Sequence, residues 1–261
     1  GLFQAQGTVV DLNNDGQSEV VLVGITSANE TSGIPKFYVY EYDSENNTYN
    51  KVDLSDQIAK LKNSSFDLGD VDNDQDIDFV ITGFDESDGL KSYLYENTTV
   101  VGGDHQLTVT QNNFAATRDG TIDFIDFDGD GDLDIVSASS LDDTIAWYEN
   151  NGAADPTWTA ADIATSADGA TSVFLIDLDK DGDIDILSSS YNDDTIAWYE
   201  NNGAANPTFT AADIATNIDG AYHVYARDMD GDGDIDILAS AAIGDKVVLF
   251  KSNGAADPTF T

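Results

Sequence analysis

Five short stretches concentrate the residues able to do chemistry: DLNNDGQSE at 11–19, DVDNDQDID at 70–78, DFDGDGDLD at 126–134, DLDKDGDID at 177–185 and DMDGDGDID at 228–236. All share the spacing D-x-[DN]-x-D-x-x-x-[DE]. Oxygens at alternate positions of a tight loop converge on one point, and a hard divalent cation takes about six to eight of them at about 2.3–2.6 Å. Calcium is the expected ion, with up to five bound. Positions 1, 3, 5 and 9 supply side chains and position 7 a carbonyl. The expected ligands are therefore Asp11, Asn13, Asp15, Gln17 and Glu19; Asp70, Asp72, Asp74, Asp76 and Asp78; Asp126, Asp128, Asp130, Asp132 and Asp134; Asp177, Asp179, Asp181, Asp183 and Asp185; Asp228, Asp230, Asp232, Asp234 and Asp236. Position 6 is Gly16, Gly131, Gly182 and Gly233 but Gln75 in the second loop, so a positive φ is expected there and strain at Gln75. An EF-hand is excluded, because position 12 is Leu22, Ile81, Ser137, Ser188 and Ala239 rather than Glu, and the flanks are strand-like rather than helical. A merely solvated acidic turn is disfavoured, since so many like charges within nine positions repel without a cation.

The elements that position these loops follow from internal repetition. IAWYENNGAA at 145–154 returns at 196–205 and TAADIAT at 159–165 returns at 210–216, while the loop starts are spaced by 59, 56, 51 and 51 residues. Each unit carries a short apolar stretch, the acidic loop, a second apolar stretch, a polar turn and two further strand-like segments. Four short strands per unit of this length predict an all-β fold, a β-propeller of four-stranded antiparallel blades, with five blades expected. The expected organisation is a single propeller domain over 1–261, with repeats near 1–58, 59–115, 116–166, 167–217 and 218–261. VDLSDQIAKL at 52–61 is expected to form one short helix. Pro258–Thr261 resembles the start of a fourth strand and Leu2–Phe3 the end of one, which suggests a ring closed by its termini; a segment of a longer array is the alternative.

The units resemble the FG-GAP/VCBS repeats of integrin α-subunit propellers and of secreted bacterial proteins and fungal lectins. The D-x-D-x-D-G-x-x-D loops carry the resemblance, with FVITG at 79–83 and LYEN at 94–97 resembling the strands that follow. It implies calcium between the first and second strands of each blade. The first loop departs at Asn13 and at the longer Glu19, and five blades fall short of the family's usual seven or more.

Composition narrows the function. With 50 Asp+Glu against 10 Lys+Arg the formal charge is −40, which excludes nucleic acid as a partner. Apolar residues at 41% allow a packed core, and the absence of Cys rules out disulfides and thiolate metal sites. No apolar run of about 18 residues is present, so helical membrane insertion is not expected. The start lacks an export-signal pattern, and such a signal is expected to have been removed or to lie outside this chain.

Away from the loops, Ser190, Tyr191, Asn192 and Asp193 form a polar turn with one aromatic, suited to a sugar by hydrogen bonding and ring stacking. An ordinary turn is the competing reading. Trp147 and Trp198 are expected in the core between blades. Of the two histidines, His105 reads as a surface residue. His223 shares a strand face with Tyr225 and Arg227, an arrangement a polysaccharide lyase could use, but no basic cluster exists to hold an anionic sugar. No catalytic residues are assigned. These observations point to a secreted or cell-surface protein, part of a larger secreted one, acting as a non-catalytic adhesion or recognition module for a glycan or cell-surface glycoprotein. A polysaccharide-active enzyme or its accessory domain, and a rigid calcium-stapled spacer, are the rivals.

Overall fold

In the computed structural model, residues 3–261 are described except 27–33, 88, 102, 112–113, 115–116, 118–119 and 256–257. The fold is all-β, a β-propeller of antiparallel blades, and among the described residues no helix occurs. Each blade is a meander whose strands pair in chain order. The first comprises β1 (Phe3–Val10), β2 (Glu19–Ile25), β3 (Pro35–Asp43) and β4 (Thr48–Asp53), and the second β5 (Lys62–Gly69), β6 (Asp78–Asp85), β7 (Gly89–Asn97) and β8 (Leu107–Gln111). The third comprises β9 (Ile122–Ile125), β10 (Asp134–Ser139), β11 (Thr144–Asn150) and β12 (Trp158–Ala164). The fourth holds β13 (Ala170–Ile176), β14 (Asp185–Ser190), β15 (Thr195–Asn201) and β16 (Phe209–Ala215). The fifth has three strands, β17 (Ala221–Arg227), β18 (Asp236–Ala241) and β19 (Lys246–Phe250), and the bridge Ser252–Phe260 stands where the other blades begin a fourth.

The chain divides into two compact units, Gly1–Phe124 with Asn151–Thr157, and Ile125–Asn150 with Trp158–Thr261. In the first, Val21, Val23, Phe37 and Val39 of one blade pack with Phe79, Ile81 and Tyr95 of the next. In the second, β14 shows why the middle strands read as unbroken apolar runs. All six of its residues are buried, because successive side chains point to opposite faces and both faces are covered. Ile186 joins Val136, Ile145 and Trp147 of the preceding blade, whereas its neighbour Leu187 joins Val224, Ile237 and Ala239 of the following one. Trp147 and Trp198 both lie in these inter-blade cores, as expected. The outer strands β12 and β16 cover one side only, and four of their seven residues are exposed.

Two expectations are corrected. Residues 52–61 hold the end of β4 and a turn rather than a helix. The apolar residues have helical spacing and Leu54, Ile58 and Leu61 are buried, but the backbone donors are taken elsewhere: Leu54 N bonds the Phe37 carbonyl (3.0 Å) and Ala59 N the Tyr95 hydroxyl (2.6 Å). Tertiary partners outweigh a weak local preference. Phe3 does not end a fourth strand; it opens β1 and pairs with Ile25. Leu2 lies outside the described residues.

Ile186→Ala should cost about 2–5 kcal/mol, since a fully buried inter-blade side chain leaves a cavity. Leu141→Ala, on a residue 67% exposed, should change stability by less than about 0.5 kcal/mol. Urea unfolding of the two variants checks the contrast.

Candidate metal centres

Each acidic loop joins the first strand of a blade to the second and folds as a ladder of side chain–backbone hydrogen bonds. The position 1 carboxylate accepts from the position 6 N–H, at 2.9 Å (Gly16 to Asp11), 3.0 Å (Gln75 to Asp70), 3.2 Å (Gly131 to Asp126), 3.2 Å (Gly182 to Asp177) and 3.1 Å (Gly233 to Asp228). Position 3 accepts from the position 5 N–H, and position 5 from that of position 7. Short Asp and Asn side chains reach their own backbone two residues on, which is why this spacing curls the chain. Position 6 has φ of 87°, 99°, 105° and 93° at Gly16, Gly131, Gly182 and Gly233, and 77° at Gln75. The expected left-handed turn is there, and Gln75 adopts it without being glycine.

The curl brings carboxylates together. One oxygen each from Asp11, Asp15 and Glu19 lie within 4.8 Å of one another, as do those of Asp70, Asp72 and Asp78, of Asp126, Asp128 and Asp130, of Asp177, Asp179 and Asp181, and of Asp228, Asp230 and Asp232. At that separation two carboxylates repel by about 3–4 kcal/mol at an effective dielectric near 20. Asp126 Oδ1 and Asp177 Oδ1 are buried and have no hydrogen-bond partner, although their sister oxygens are bonded. A buried, unpaired carboxylate oxygen facing like charges is costly unless a cation takes it, so the donor set fits calcium.

Position 9 does more than line the loop. Each of these residues opens the second strand of its blade and is buried. Asp78 accepts from Val71 N (3.0 Å) and Asn97 N (2.9 Å), and Asp185 from Leu178 N (3.1 Å) and Asn201 N (2.8 Å). Asp134 accepts from Phe127 N (3.3 Å), Asn150 N (2.8 Å) and Trp147 Nε1 (2.9 Å), and Asp236 from Met229 N (3.3 Å) and Ser252 N (3.0 Å). Glu19 accepts from Leu12 N (2.8 Å). Burial pushes the Asp78 carboxyl up to about 7 and those of Asp134 and Asp185 up to about 6, and it raises Glu19 as well.

Three position 7 side chains lie against groups outside their own cages. Asp76 accepts from Asn14 and Asp234 from Lys180, and a Cβ at Gly203 or Gly254 would collide with the Asp183 or Asp234 carboxylate. The fifth loop differs: Lys251 Nζ lies 2.8 Å from Asp230 Oδ2 and holds the Asp230 carboxyl below its usual range. Lys251 stands where the repeated Y-E-N segment has Glu96, Glu149 and Glu200. Glu96 feels Asp72 and Asp74, and Asp179 feels Glu200. The glutamate was missed from sequence, although the repetition of Y-E-N in the second, third and fourth units carried the signal.

The expected sugar turn is largely built into the fold. Ser190 is buried within β14, Tyr191 N and Asn192 N donate to the Gly169 and Asp168 carbonyls (2.9 and 3.1 Å), and Asn192 Nδ2 donates to Asp168 Oδ1 (2.8 Å). The Asp193 carbonyl accepts from Thr195 Oγ1 (3.0 Å), leaving its exposed side chain and the Tyr191 ring, edge-on to Tyr222, to meet a ligand. His105 is corrected from a surface residue: it is 2% exposed, with Nε2 3.0 Å from Glu41 Oε1. The flanking residues tie it inward, its own carbonyl accepting from Gln57 Nε2 (2.9 Å). His223 lies on β17 with Tyr225 and Arg227, its Nδ1 2.7 Å from Ser172 Oγ, and burial lowers its pKa.

Blades of four antiparallel strands with an acidic loop between the first two define an acidic-loop class of β-propeller. The family model described as "FG-GAP-like repeat" matches residues 70–137, 126–188 and 177–239, more than half of the chain. The chain belongs to that family. Among solved structures, it is similar to the Vibrio cholerae biofilm matrix protein Bap1 at 17% identity and a TM-score of 0.45, covering 99% of this chain and 38% of that one. It thus spans well under half of that protein's chain. It is also similar to a putative oxidoreductase (glucose dehydrogenase) of Thermus thermophilus at 8% identity and a TM-score of 0.35, covering 95% and 99% of the two chains. No curated protein matches.

Gln75→Gly should stabilise the protein by up to about 1 kcal/mol, because glycine adopts φ > 0 without penalty; chemical denaturation measures it. The raised carboxyls set a pH dependence. A folded pKa above the unfolded value near 4 means that the native state holds the proton more tightly, so without calcium this contribution to stability is lost as pH rises through about 6–7. Tm in chelator should therefore fall between about pH 4 and 7 and level off above, and the increment added by calcium should grow over the same interval.

Proposed function

We propose that the five loops bind calcium and that the protein is an extracellular, non-catalytic recognition module of the adhesion type, with a glycan as its partner. The buried, unpartnered oxygens of Asp126 and Asp177 within converging carboxylates carry this reading. The loops hold 23 of the 50 acidic residues, and five ions would bring the formal charge from −40 to −30. Calcium modules outside cells commonly bind at roughly 10⁻⁴–10⁻³ M, so such sites fill there and empty in cytosol. The ions would neutralise the cages and tie first strand to second; the chain's own residues supply the rest of the clamp at position 9.

The glycan part of the reading rests on the half-buried Tyr191 ring and the exposed Asp193 side chain of the turn at the other end of the strands. A polysaccharide-active enzyme is the rival. His223 is its best base, yet its Nδ1 faces Ser172, and the only cation on its strand, Arg227, is a single charge against a strongly acidic molecule.

Thermal unfolding in chelator, then across calcium and magnesium titrations, tests the metal reading. A calcium-specific rise in Tm is expected, and an unchanged Tm would sink it. Asp130→Ala should reduce the calcium-dependent part of stability and leave the chelator value nearly unchanged; equal loss in both would remove Asp130 from the ligand set. On a glycan array, Tyr191→Ala should abolish retention while the calcium-loaded Tm stays constant. Conversion of a glycan without retention would favour the enzyme.

A further inference from the structure

We propose that the fourth residue of an acidic loop is a positioning residue for the next cation site along the chain, so that adjacent sites fill as coupled pairs. This rests on reading the loops as calcium sites. Asn14 in one compact unit and Lys180 in the other make the same bridge from different side chains. Asn14 Nδ2 donates to the Gln75 carbonyl (2.8 Å) and to Asp76 Oδ1 (2.6 Å). Lys180 Nζ donates to the Gly233 carbonyl (2.6 Å) and to Asp234 Oδ1 (2.7 Å). In both cases position 4 grips position 6 by its carbonyl and position 7 by its carboxylate.

Position 7 is where the carbonyl ligand is expected, and the bridge holds that residue by its side chain and by the peptide that precedes it. The bridging residue is in turn set by its own loop. Asn14 and Lys180 have φ of 53° and 65°, a conformation that lysine seldom takes and that the ladder around Asp177, Asp179 and Asp181 imposes. A cation that stiffens the fourth loop therefore stiffens Lys180, and with it the Gly233–Asp234 segment of the fifth. By linkage the coupling runs equally in the other direction. Geometry rather than charge is the common factor, since Asn14 makes the two bonds without any charge.

The third loop supplies an internal contrast. Gly129 holds position 4 with the same backbone sign, φ 75°, but has no side chain to reach Gly182 and Asp183. A Cβ there would meet nothing within 4 Å, so space does not demand the glycine. The third and fourth sites lack this bridge and should fill independently.

Hydrogen exchange read by mass spectrometry on the full chain, across a calcium titration, resolves the loops by segment. In Lys180→Gly the calcium needed to protect 228–236 should rise about fivefold, at the low end of usual coupling between sites, with 126–134 unchanged. Lys180→Asn should restore the original midpoint. Gly129→Asn should move protection of 177–185 to lower calcium. Loss of the ammonium alone would favour a cation and shift the fifth loop the opposite way. An unchanged or lowered midpoint in Lys180→Gly, or failure of Asn to rescue it, would overturn the bridge while leaving the loops as calcium sites. If no loop gains protection with calcium, the site reading itself fails and the bridge with it.

Discussion

The structure depends on a buried carboxylate at the ninth position of each loop. Glu19, Asp78, Asp134, Asp185 and Asp236 each begin the second strand of a blade and take a backbone N–H from the second loop residue. The four aspartates also take one from the end of the third strand or just beyond it. A buried carboxylate is expensive unless its oxygens are bonded, and here the same bonds that satisfy it close the loop and align three strands. Loop chemistry and blade geometry are therefore one constraint.

The loops oppose that constraint. Carboxylates drawn together by their own Asx-type turns repel, and the repulsion is balanced only in part by the N–H groups of the ladder. A cation bound there, as proposed, would relieve a stress that the backbone cannot, and its binding would be coupled to folding. The fifth loop relieves some of it with Lys251, which pairs with Asp230 and stands where other blades place a glutamate. The hairpins at the other end of the strands lock blades without metal. Asp143 and Asp194 each accept, through carbonyl and carboxylate, from the entry turn of the next blade at 2.8–3.0 Å.

Much of the site was legible because its geometry is local. Alternate oxygens and a turn at position 6 follow from spacing within nine residues. What escaped depended on partners far away in sequence. Residues 52–61 had helical periodicity, but their donors found Phe37 and Tyr95. His105 looked like a loop residue until Glu41 and Gln57 enclosed it. The positive φ at position 4 went unseen, since Asn14, Asn73, Gly129, Lys180 and Gly231 share no side-chain chemistry that announces it.

By itself the sequence determined the repeat, the all-β class, the loop motif and the apolar runs of the middle strands. The loop motif and the apolar runs are written over a span shorter than one blade, and the repeat shows as soon as two units are compared. Only the tertiary structure decided which face of a strand meets which neighbour, as where Ile186 and Leu187 part to opposite cores. It also decided how far the turn at Tyr191 is consumed by structure, and that one loop reaches the next through Asn14 and Lys180. The two bridges join residues more than fifty positions apart, and nothing local specifies them.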